Sequence, residues 1–142
     1  MSRATWRFNW RFVNPFTRNH CVVSAITHCT PTGDAVSALS LANVLRKRKL
    51  VTPAGVVKCI VKDIDHLVHP AGLRVVASHL TRTRREAMTL QTWVAFHRTG
   101  RFIVVVSGHA VAVIDGVVFG CYKPLSRVLW YAQVEPVVTP LN

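Results

Sequence analysis

Acidic residues are scarce in this chain. Six Asp and Glu stand against eighteen Lys and Arg among 142 residues, a formal net charge of +12. That balance disfavours cationic partners and favours anionic ones: nucleic acid, an acidic protein or a membrane surface. No groove-reading motif accompanies the charge, so any affinity for nucleic acid is expected to be non-specific. Long apolar runs are missing too. No stretch approaches the roughly 18–20 residues of a membrane span. The opening MSRATWRFNWRF has no apolar segment of the kind a secretory signal needs. Neither a secreted nor a membrane-embedded protein is expected. Cysteines number four (Cys21, Cys29, Cys59 and Cys121), with no CxxC pair and no zinc-framework spacing. Reduced thiols fit this pattern better than disulfides. His66 and His69 lie three apart on a predicted helix, a thin ligand set, and no metal is expected.

What the chain has is apolar mass. Half its residues are hydrophobic, and the length fits one domain spanning 1–142. Residues 1–14 form an aromatic and basic opening. There Trp6, Phe8, Trp10 and Phe12 alternate with Arg7, Asn9 and Arg11. That period of two predicts a strand with one aromatic face, either an edge strand or a docking arm. Asn19 can cap a helix starting near Cys21, which Pro31-Thr32-Gly33 ends. Asp34 caps a second helix reaching about Arg46. Thr52-Pro53 opens a third, with apolar residues at helical spacing from Val56 to Val68. Leu73–Ala77 reads as a short strand, and Thr89 caps a short helix from Leu90 to His97. The last third is β: Phe102–Val106, His109–Ile114, Val117–Tyr122 and Val128–Val134. Asp115-Gly116 is a type I′ hairpin signal between the second and third of these. Helices first and strands after predict an α+β fold, with N-terminal helices packed on a C-terminal antiparallel sheet. The basic clusters Arg46-Lys47-Arg48-Lys49 and Arg82-Thr83-Arg84-Arg85 are expected in solvated loops.

Two residues stand out chemically. Cys21 sits at a predicted helix start, where the helix dipole favours a thiolate and lowers its pKa. His109 sits in the otherwise apolar stretch SGHAVAVIDG. A core histidine is one reading of it. The other is a base that draws the proton from a distant nucleophile, and the pair Cys21 and His109 has the layout for thiol chemistry. Cys29 and Cys59 lie on apolar helix faces and read as core.

The stretch NHCVVSAI resembles the nucleophile helix of small papain-like proteins of tailed bacteriophages. The stretch MTLQTWVAFHRTGRFIVVVSGHAVAVIDGVVF is similar to their second half: a short helix, a Gly-Arg-aromatic turn, and a Ser-Gly-His strand ending in Asp-Gly. The resemblance implies a papain-like fold, Cys21 as nucleophile and His109 as base, with no metal or cofactor. It also implies a phage protein of the host cytoplasm or the virion. The Cys21 main-chain N–H and Asn19 are candidates for stabilising the oxyanion. The orienting acid is the departure. Asp115 lies six residues along the same strand, roughly 20 Å away, and belongs to the turn. The neighbouring strand carries Gly120 where the related proteins tend to place an acid. Tyr122 or Ser126 then orients the imidazole, or a Cys–His dyad acts alone, or the site is non-catalytic. Two functions follow. One is a thiol hydrolase, a peptidase acting on protein or peptide. The other is a papain-fold virion component or host-interaction factor that binds nucleic acid or an acidic protein through its basic surface.

Overall fold

The α+β order predicted from the sequence is the observed one. The structure, a computed structural model, describes residues 6–7, 21–30, 35–51, 60–81, 86–106, 109–120 and 123–137. Strand β1 is Trp6–Arg7. Helices α1 (Cys21–His28), α2 (Ala35–Lys47) and α3 (Ile60–Val68) follow, and a 3-10 turn at His69–Ala71 leads into β2 (Leu73–Leu80). Then come α4 (Leu90–Phe96), β3 (Arg101–Val106), β4 (His109–Ile114), β5 (Val117–Phe119) and β6 (Val128–Pro136). The sheet order is β1-β5-β4-β3-β6-β2. Strands β2 to β6 are antiparallel throughout, and β1 adds a short parallel pair on β5.

The sheet has two buried faces because its strands alternate apolar side chains on both sides. On β3, β4 and β6 one set of residues, Ile103, Ala112, Trp130, Ala132 and Val134, packs under α1, α2 and α3. The alternate set, Phe102, Val104, Val111 and Val113, together with Val118 of β5, packs with Trp93 and Val94 of α4. Such central strands read as nearly continuous apolar runs. Each fully buried Leu, Ile or Val contributes roughly 1.5–3 kcal/mol, so the two layers together supply the main stabilising term. Helix α1 is deeply enclosed. Every residue from Val23 to Cys29 is buried, including Thr27, whose hydroxyl donates back to the Val23 carbonyl at 2.9 Å.

Turns follow local chemistry. Asp115 and Gly116 both take positive φ, 50° and 80°, as the predicted type I′ turn requires. Ile114 pairs with Val117 and Ala112 with Phe119, the register that turn imposes. Thr89 caps α4, its hydroxyl accepting the Thr92 N–H at 3.3 Å. Lys49 is left-handed (φ 60°) where α2 ends. There Leu50 N–H reaches the Leu45 carbonyl at 3.0 Å and Lys49 N–H the Arg46 carbonyl at 3.0 Å, closing the helix.

Several boundaries differ from the sequence reading. Strand β2 runs on to Leu80, because β6 pairs with it as far as Leu80↔Trp130. A register shift between Val75 and Ala77 breaks its period, and most of the strand is exposed. Strand β5 stops at Phe119, where Gly120 turns to φ 118°. Arg46 and Lys47 belong to the last turn of α2 rather than to a loop, a position the helix dipole favours for cations. The start of the third predicted helix, the Arg82–Arg85 cluster, and the flanks of the aromatic opening lie outside the described residues.

Candidate active site

Both ends of α1 are tied to the sheet. At its C-terminal end the Arg101 guanidinium donates to the Cys29 carbonyl at 2.8 Å. The Cys29 thiol donates to the Phe102 carbonyl at 3.6 Å. Burial pushes this thiol up to about 12, against a small opposing pull from Arg101. Cys29 is thus a core residue, as its place on an apolar helix face implied. His28, in the same turn, stacks on Phe119 of β5 with ring centroids 5.2 Å apart. Its burial drives its pKa down to about 4.

At the other end Cys21 opens the helix, half-buried. Its sulfur meets the main-chain N–H groups of Ala110, Val22 and Cys21 itself. Ala110 belongs to β4 and directly follows His109. The fold therefore brings the two singled-out positions, 88 residues apart in sequence (109 − 21), to adjacent points of one junction. Strand β4 begins at His109, so the imidazole sits at the end of the sheet, half-buried, with its Nε2 shielded from solvent. Ala112 faces α1, whereas Val111 and Val113 face α4. Small residues at 110 and 112 let the helix approach the strand closely.

The electrostatics at Cys21 correct one expectation. Desolvation by burial raises the thiol above its ordinary value, and the three N–H groups only partly offset it. The helix start is favourable to a thiolate, but half-burial against β4 costs more. At neutral pH the resting group is a thiol.

The other candidates separate clearly. Asp115 is a turn residue: its carboxylate accepts the Gly100 N–H at 2.9 Å and its own N–H donates to the Gly100 carbonyl at 2.9 Å. Ser126 lies in a turn before β6, and its carbonyl accepts the Leu90 N–H at 2.7 Å. Since β3 separates β4 from β6 in the sheet, Ser126 is not on the strand next to His109. A Cβ at Gly120 would lie 3.6 Å from Val111, on the face of β4 that points toward α4, and φ 118° disfavours any side chain there. Asn19, Cys121 and Tyr122 lie outside the described residues. Sequence reasoning missed the Ala110 amide. Its only signal is its place directly after His109. No group of His, Cys, Asp and Glu among the described residues is arranged to hold a metal ion, and no described helix is long and apolar enough to cross a membrane. Comparison with family models, with curated proteins and with solved structures gave no match to this chain.

Proposed function

We propose that this chain is a papain-like thiol hydrolase, a cysteine peptidase of the kind its sequence resembles in tailed bacteriophages, with Cys21 as nucleophile and His109 as base. One observation carries the reading: the Cys21 sulfur, at the start of α1, meets the Ala110 amide next to His109. The raised thiol pKa shapes the step. His109 takes the Sγ proton as sulfur attacks the scissile carbonyl carbon, rather than holding a preformed ion pair. The carbonyl π electrons move to oxygen, and the oxyanion is met by main-chain N–H at the helix start, with Asn19 beside it in sequence. Collapse breaks the C–N bond. The amine leaves with the proton from His109, and water then cleaves the thioester, restoring the thiol and releasing the acid. Asn19 and Tyr122 are assigned supporting roles, stabilising the oxyanion and orienting the imidazole respectively.

The test is hydrolysis of a casein-type protein substrate and a mixed fluorogenic peptide library by wild type, Cys21→Ala and His109→Ala. Loss of all cleavage in both variants, with unchanged thermal unfolding, supports the assignment. Cleavage that persists in Cys21→Ala overturns it. A second reading, a non-catalytic papain-fold protein bound to an anionic partner, is favoured by the raised Cys21 pKa and the +12 charge. It predicts an inert Cys21 and salt-sensitive binding to nucleic acid or an acidic protein.

A further inference from the structure

The sheet ends on β2, and no described strand lies beyond it in the order β1-β5-β4-β3-β6-β2. Hydrogen bonding fixes which main-chain groups of this edge face outward. The Thr81 N–H donates to the Leu129 carbonyl at 2.9 Å. The same register runs back along β6 through Leu80↔Trp130, His79↔Tyr131 and Ser78↔Ala132. Antiparallel pairing alternates bonded and unbonded residues, so His79 follows Thr81 in bonding β6. Ser78 and Leu80 therefore turn their N–H and C=O groups away from the sheet. A register shift between Val75 and Ala77 leaves Val76 without a partner on β6. From Ala77 to Leu80 the edge is regular.

Open edges are normally blunted by charged residues, proline or a bulge. Here the bulge lies before Ala77, and the stretch after it, Ala77-Ser78-His79-Leu80, holds no proline, lysine, arginine or acid. Val76 and Leu80 are 50% and 58% exposed. The two faces of the edge differ. Leu80 lies beside Trp130, on the face covered by α1, α2 and α3. His79 lies on the α4 face and tilts over Tyr131 at 5.7 Å. There the rings of Trp93, His97 and Tyr131 pack directly on one another. Outside that cluster His79, Thr81 and Met88 line a groove of about 530 Å³.

We infer that β2 receives an extended, acidic segment of a partner protein as a further strand of the sheet. Main-chain hydrogen bonds to Ser78 and Leu80 hold the segment. Its side chains fall alternately beside Leu80 and over His79 and Met88, the way peptides add to an open sheet edge. Charge selects the occupant. Arg82, Arg84 and Arg85 directly follow Thr81 in sequence, in a chain of net charge +12. An acidic segment is attracted to such a chain, whereas a second copy of it is repelled. The surface is separate from Cys21, because β3 and β6 lie between β4 and β2. It does not depend on the hydrolase reading, and it narrows the anionic-partner reading to an acidic protein bound at one edge.

The experiment is titration of the full chain with two short peptides, one alternating valine and glutamate and one of glutamate alone. Main-chain amides are followed by ¹H–¹⁵N NMR with solvent exchange, and affinity by calorimetry. In the free protein the Ser78 and Leu80 amides should exchange fast, and those of His79 and Thr81 slowly. The alternating peptide is expected to slow Ser78 and Leu80. Ser78→Pro removes an outward N–H without removing a bond to β6, and should weaken that peptide roughly ten-fold. Leu80→Glu, at an exposed position where folding is not at stake, sets an acid against the incoming strand and should weaken it roughly five-fold. Slow exchange of Ser78 and Leu80 in the free monomer would overturn the proposal, since the chain then covers its own edge. Protection that appears only as the protein dimerises would make a second copy the occupant and overturn it too. So would wild-type binding by Leu80→Glu and by folded Ser78→Pro. Equal binding of the glutamate peptide, with no change at Ser78 and Leu80, would remove this face while leaving the broader anionic-partner reading intact.

Discussion

The pH dependence of Cys21 alkylation tests the electrostatics of the junction directly. An ordinary cysteine titrates near pH 8.5, so at pH 7 about 3 % is thiolate. Burial holds Cys21 above the ordinary value, so its thiolate fraction at pH 7 is smaller still. Iodoacetamide reacts with the thiolate alone. The Cys21 rate should therefore climb about ten-fold per pH unit from pH 6 to pH 9, with no plateau in the acid range. Cys29 serves as an internal standard. It is fully buried and pushed up to about 12, so it should stay unmodified until the protein unfolds. Peptide-level mass spectrometry after timed quenching reads both sites in one sample. His109→Ala separates two roles for the imidazole. If His109 accepts the proton only during attack, the alkylation profile of the variant overlays that of wild type. Hydrolysis, by contrast, falls about 10²–10⁴-fold. A wild-type plateau between pH 4 and pH 7 that vanishes in His109→Ala would refute the burial argument and establish a resting thiolate–imidazolium pair.

Acid should destabilise the fold through His28. Its folded pKa, about 4, lies below the ordinary 6.5, so the unfolded chain binds the proton first. The stability this neutral ring contributes is complete above pH 6.5 and falls by about 3 kcal/mol as pH drops to 4, readable as a falling urea midpoint. His28→Phe should flatten that slope. Thr89→Ala removes the α4 cap and should cost about 1 kcal/mol in chemical denaturation, with most of the loss of amide protection in residues 90–93. Ile103→Ala, at a site with no solvent exposure between α1 and the sheet, should cost about 2–5 kcal/mol by the same assay. A loss below 1 kcal/mol there would mean that the layer is not close-packed.

Much of this architecture was legible in the sequence where local chemistry decides it. Asp115-Gly116 fixed the hairpin register, and Thr89 fixed the start of α4, because each acts through its own backbone. The sheet order was not legible. Strand β6 lies between β3 and β2, and no local pattern encodes which distant strands pair. The extent of β2 was hidden by its bulge and its exposure. At the candidate site, the Cys21 and His109 positions were readable from residue type and element. The direction of the Cys21 pKa was not, since sequence reveals the helix start but not the strand that covers it. The aromatic cluster beside α4 escaped for the same reason: Trp93 and the C-cap residue His97 are four apart in sequence, whereas His79 and Tyr131 come side by side only through β2–β6 pairing.

The tight Asp115–Gly116 turn governs the strand that follows it. Strand β4 is held along its whole length by β3, from Arg101↔Ile114 to Val106↔His109, so its two-beat rhythm does not depend on the hairpin. Strand β5 is only three residues long and takes its phase from the turn. A substitution in the turn alters only how strongly that phase is held. Adding or deleting one residue there inverts it, replacing Val118 in the layer under α4 with a neighbour. Evolution can therefore vary the letters of this hairpin far more freely than their number.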